Sequence, residues 1–144
     1  MCFDDKYKTV TISPYVFDGV DFNMLDSVAD SVNAEKADRV FIEGYRSRSN
    51  FAHDSKMITA VHTLKRLIPK STALDNMGVK KIITPDLMKV LGVWTFTLQT
   101  NHQDLRSAAR IALFGMVKEN VYNALLAKII TDTVQGFPWA IINK

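Results

Sequence analysis

Between two stretches of helical periodicity lies "RVFIEG", residues 39 to 44. Val40, Phe41 and Ile42 follow one another with no polar residue between them, and Gly44 ends the run. A strand with one face in water alternates apolar and polar residues. A run without alternation reads as a central parallel strand covered on both faces. Before it, "DFNMLDSVADSVNAEKA" repeats Phe22, Leu25, Val28, Ala29 and Val32 at helical spacing, with Asp21 as the expected N-cap. After it, "FAHDSKMITAVHTLKRLI" aligns Met57, Ala60, Val61, Leu64, Leu67 and Ile68, and Pro69 closes the helix. Lys65, Arg66 and Lys70 sit near its C-terminal end, where the helix dipole favours cations. Helix followed by buried strand suggests an α/β domain.

The remaining chain fits this frame. "KTVTIS" has period two, with Val10 and Ile12 on one side. "MCF" is its expected hairpin partner across the turn "DDKY". "VKKIIT" is β-branched and predicts a further strand. Pro85 opens a short helix, "PDLMKVLGV", which Gly92 caps. "WTFTLQTN" suits either a strand or an active-site loop. "HQDLRSAARIALFGMVKEN" is the clearest helix, with Leu105, Ala108, Ala112, Leu113, Met116 and Val117 on one face. A last helix is expected in "VYNALLAKIITDTV", and the tail "QGFPWAIINK" is apolar enough to dock.

At 144 residues the chain suits one domain, residues 1 to 144. A hydrophobic share of 47% against 23% charged residues excludes a disordered chain. Its single cysteine, Cys2, excludes an intrachain disulfide and a Cys-rich zinc site, and suits a reducing compartment. No apolar run approaches the roughly 18–20 residues of a membrane span. The first residues lack the apolar core of a signal peptide. A net charge of +3 permits a polyanionic partner without demanding one. There is no Walker loop, no GxGxxG and no nucleophile elbow. His53 and His62 are nine apart, which is not the spacing of a zinc-binding helix.

Three groups of residues could carry chemistry. Glu43 ends the apolar strand, and in open α/β sheets ligands bind outside the carboxyl ends of the strands. There it could hold a divalent cation or orient a water; the plain alternative is a solvated acid or a partner for Arg46. Asp104, Ser107 and Arg110 are spaced three apart along one helix face. Asp104 could ligate a metal or simply satisfy free N–H groups of the first turn. The third group is cationic. Arg46 and Arg48, with Tyr45 and Phe51 nearby, form a basic loop suited to phosphate contact and base stacking. Lys56, Lys65, Arg66, Lys80, Lys81, Lys89, Arg106 and Arg110 extend the cationic set. Cations are normally exposed and scattered, and the loop beside Glu43 is the one cluster expected to act.

The order of these features resembles the RuvC-like Holliday-junction resolvases, and the resemblance implies the RNase H-like α/β fold, a central mixed β-sheet flanked by α-helices. "ADRVFIEGYRSRS" is similar to that family's second acidic strand. "TPDLMKVLGVWTFTLQTNHQDLRSAARIAL" is similar to the closing section of its small, phage-type members. The likeness runs from about Thr9 to Lys118. It implies a metal-dependent endonuclease acting on branched DNA, with Glu43 and Asp104 as catalytic acids. Glu43, Asp104 and Ser107 would hold Mg²⁺ or Mn²⁺. Arg46, Arg48, Lys80, Lys81, Arg106 and Arg110 would hold DNA. It further implies a homodimer in the cytoplasm of a phage host. The family's first strand, with an Asp before a Pro-Gly turn, has no counterpart, so the chain is expected to start at the second strand. Asp4, Asp5 and Asp18 are nearby acids, but none closes a buried apolar strand. Glu43 and Asp104 alone are short of negative charge for two metals. That sets the alternatives: an inactive relative that binds nucleic acid or counters host defence, or a protein-interaction module.

Overall fold

Ten elements follow one another in the computed structural model, which describes residues 2–4, 9–12, 22–44, 51–96, 102–119 and 140–143. They are β1 (Cys2–Asp4), β2 (Thr9–Ile12), α1 (Phe22–Ala34), β3 (Val40–Gly44), α2 (Phe51–Leu67), β4 (Ser71–Asp75), α3 (Val79–Ile82), α4 (Pro85–Val90), α5 (His102–Lys118) and β5 (Ala140–Asn143). The arrangement is α/β, with a small parallel β-sheet flanked by helices. The chain divides into two compact units, one of residues 17–76 and one of residues 1–16 with 77–144. No helix among the described residues is long and apolar enough to cross a membrane.

The 17–76 unit holds β3 and β4 as a parallel pair, in register from Val40 opposite Ser71 to Gly44 opposite Asp75. A parallel pair needs a crossover, and α2 supplies it. Helix α2 packs on both strands and on α1. Ala29, Ala60, Ile68 and Leu74 are the buried apolar residues here. The apolar spacing of α1 and α2 therefore points inward as expected. The central strand is a correction. Val40, Phe41, Ile42 and Gly44 are only half-buried, Glu43 is exposed, and among the described residues β3 pairs with β4 alone. Its lack of alternation reflects equal partial cover of both faces rather than full burial.

Gly44 sits close against the backbone of β4. A Cβ on it would lie 3.0 Å from the Leu74 carbonyl oxygen, an atom held in the strand. Gly44→Ala is expected to cost about 1–3 kcal/mol by overpacking. That lowers the thermal midpoint of a 60–100-residue unit by about 4–8 °C per kcal/mol. Circular dichroism melting of both proteins measures it, and an unchanged midpoint contradicts the tight approach.

In the other unit, β2 pairs antiparallel with β1 and parallel with β5, giving a three-stranded mixed sheet in the order β1-β2-β5. The hairpin expected of "MCF" and the docked tail are both present as backbone pairings. The "VKKIIT" segment is the second correction: it is helical over α3, not a strand. Val79 and Ile83 are both buried and four residues apart, one helical turn. A strand would have put Lys81 on their face, and Lys81 is exposed. The strand that follows α2 is instead β4, in "STALD".

Helix α4 forms for reasons visible in the sequence. Thr84 Oγ1 accepts the Leu87 N–H at 3.3 Å, and Pro85 takes the first turn. Gly92, at φ 73°, ends the helix. Its N–H donates to the Lys89 carbonyl and the Val93 N–H donates to the Met88 carbonyl, the paired bonds of a Schellman motif. Met88 and Val93 are fully buried, as are Val79, Ile83 and Leu113, and Leu91, Leu105, Ala109, Ile111 and Met116 are buried beside them in the same unit. Helix α5 thus buries Leu105, Leu113 and Met116 as expected. It turns Ala109 inward and leaves Ala108 exposed. The expected helix "VYNALLAKIITDTV" and the Asp21 cap lie outside the described residues.

Candidate functional site

The carboxyl ends of β3 and β4 bring Glu43, Gly44, Asp75 and Asn76 together. The pleat turns Glu43 outward, and the Asn76 side-chain amide donates to Glu43 Oε1. One carboxylate oxygen is therefore oriented by a neutral donor while the group as a whole stays exposed. Asp75, half-buried, stands opposite Gly44 in the register. Asn76 was not singled out from sequence. The signal was "LDN", two polar residues closing a strand, and it becomes legible only once "STALD" is read as β4.

These donors are all oxygens, the chemistry a hard cation such as Mg²⁺ takes. Among the described residues no three His, Cys, Asp or Glu side chains come together to hold a metal. Glu43 thus offers one ligand of the right kind and an ordered neighbour. Arg46 and Arg48 lie outside the described residues.

Asp104 and Ser107 belong to the other unit, on α5. Asp104 is exposed in the first turn, and Ser107 is half-buried. His102 opens this helix, and its ring meets the Phe96 ring edge-on with centroids 6.1 Å apart.

The two arginines of α5, one turn apart, serve as ties within the unit. Arg110 is buried, and its Nε donates to the Ile83 carbonyl at 3.2 Å. Arg106 donates from Nε to the Trp94 carbonyl at 2.7 Å. Its guanidinium lies 4.0 Å from the centre of the Trp94 ring. Lys89 Nζ also sits over that ring at 5.2 Å. Together these contacts hold the loop after α4 and the joint between α3 and α4 against α5. Lys80 and Lys81 project from α3 and are exposed.

No protein-family model matches the chain, and comparison with curated proteins and with solved structures likewise finds no match.

Proposed function

We propose that this chain is an RNase H-like, RuvC-related protein that engages branched DNA and, with Mg²⁺ or Mn²⁺, cuts its phosphodiester bonds. The observation that carries the reading is Glu43: an exposed carboxylate at the carboxyl end of a parallel strand, oriented by Asn76. Bound divalent ions would supply water activation and charge stabilisation at the phosphate. Glu43 would hold one such ion, with Asn76 fixing its rotamer. Lys80 and Lys81, exposed together on α3, would contact backbone phosphates.

A second reading, a relative that binds without cutting, is favoured by the same two lysines, which need no metal to hold DNA. Incubating a labelled synthetic four-way junction with Mg²⁺ or Mn²⁺ separates the two. The first reading expects cleavage by the wild type and its loss in Glu43→Gln. Equal cleavage by both proteins, or cleavage without metal, contradicts it.

A further inference from the structure

At the end of the 17–76 unit away from Glu43, two helices finish and two strands begin. Helix α1 ends at Ala34 and α2 at Leu67; β3 starts at Val40 and β4 at Ser71. Two side chains lock the two turns side by side. Asn33 Nδ2 donates to the Leu67 carbonyl at 3.1 Å, and Lys70 Nζ donates to the Ala37 carbonyl. Val40 stands opposite Ser71 in the sheet. The residues brought together are 35–39 and 65–70. They carry five cations, Lys36, Arg39, Lys65, Arg66 and Lys70, against two acids, Glu35 and Asp38. That net +3 equals the formal charge of the whole chain, so the rest of the molecule is balanced. All five cations are exposed.

We propose that this end of the unit, Lys36, Arg39, Lys65, Arg66 and Lys70, is a docking surface for the phosphate backbone of nucleic acid. The proposal rests on the nucleic-acid reading and extends it to a second surface. Four residue steps along the chain separate Arg39 from Glu43, about 13 Å at 3.3 Å per residue. The two surfaces therefore address different segments of backbone. Lys70 and Arg39 are anchored by bonds to the Ala37 and Asp38 carbonyls. Lys36, Lys65 and Arg66 have no side-chain partner among the described residues. Those three can reach phosphates without giving up an internal bond. Lys65 and Arg66 also offset the negative end of the α2 dipole. Nucleic acid is favoured over an anionic membrane because interfacial binding needs apolar anchors. Among the described residues the exposed large apolar side chains, Met24, Ile58, Met77, Ile82 and Val90, all lie outside both turns.

The test is a salt titration of full-chain binding to a labelled DNA duplex, with wild type beside Lys36→Gln/Lys65→Gln/Arg66→Gln. Each phosphate contact contributes about 0.9 to the slope of log K against log salt, so three lost contacts lower it by about 2.7. At about 0.15 M salt the same term weakens binding roughly a hundredfold. The charge-keeping variant Lys36→Arg/Lys65→Arg/Arg66→Lys retains the wild-type slope. Glu35→Gln/Asp38→Asn tightens binding, a gain that misfolding does not imitate. A glutamine variant that is folded by circular dichroism and keeps the wild-type slope overturns the surface but leaves the nucleic-acid reading standing. A wild type that binds no DNA overturns both. Binding to phosphatidylserine vesicles without binding to DNA assigns the surface to a membrane and overturns the proposal.

Discussion

Truncating Leu113 to alanine lowers the stability of the unit built from residues 1–16 and 77–144 by about 2–5 kcal/mol. Leu113 is fully buried on α5, within the largest set of buried apolar side chains in the described residues. Close-packed surroundings relax only partly around a deleted side chain, so the lost transfer energy is joined by the cost of a cavity. Arg110 and Arg106 stiffen the helix further, since they tie α5 to the joint between α3 and α4 and to the loop after α4. Urea unfolding followed by tryptophan fluorescence reads this unit selectively. The two tryptophans, Trp94 and Trp139, both belong to it. At about 1–3 kcal/mol per molar urea, the midpoint should fall by roughly 0.7 M or more. A fall of less than a few tenths molar means that Leu113 is not in a packed core.

Glu43→Gln is expected to lower metal-dependent cleavage of a four-way junction at least about a hundredfold. Partners that merely orient a metal ligand are worth 10–100-fold, and the ligand itself is worth more. The substitution keeps the shape and removes the charge, so the β3–β4 pairing is untouched. Asn76→Ala removes the donor to Glu43 Oε1 and should reduce the rate by roughly tenfold, the scale of an orienting partner. Junction binding should stay within about threefold in both variants, because the proposed phosphate contacts lie on cations. A Glu43→Gln protein that has lost binding as well as cleavage points to a folding defect. Single-turnover rates beside gel-shift affinities separate the two.

Helices were the most legible part of the fold. The apolar spacing in α2 and α5 spans 17 residues each, long enough for a period of 3.6 to stand clear of chance. The α4 boundaries were written in Thr84-Pro85 and Gly92, residues whose backbone preferences act locally. Strands depended on neighbours and were read less well. "VKKIIT" has strong β propensity, yet Val79 and Ile83 gain more by sharing one buried side of a helical turn. "STALD" has little β propensity and is a strand because β3 lies beside it. Missing β4 also hid Asn76, since a partner for Glu43 is visible only from the register. Charge was legible residue by residue but not as a surface. Lys36 and Arg39 lie some thirty positions from Lys65 and Arg66 in the chain, and only the parallel crossover sets them side by side.

Single-turnover incubation of the full chain with a labelled four-way junction, in Mg²⁺, in Mn²⁺ and in chelator, tests the proposed function most directly. The expected result is discrete strand cuts with either metal, none in chelator, and none with Glu43→Gln. Intact junction strands under every condition, from a wild-type protein that is folded and binds the junction, would contradict the nuclease reading and leave a protein that holds DNA without cutting it.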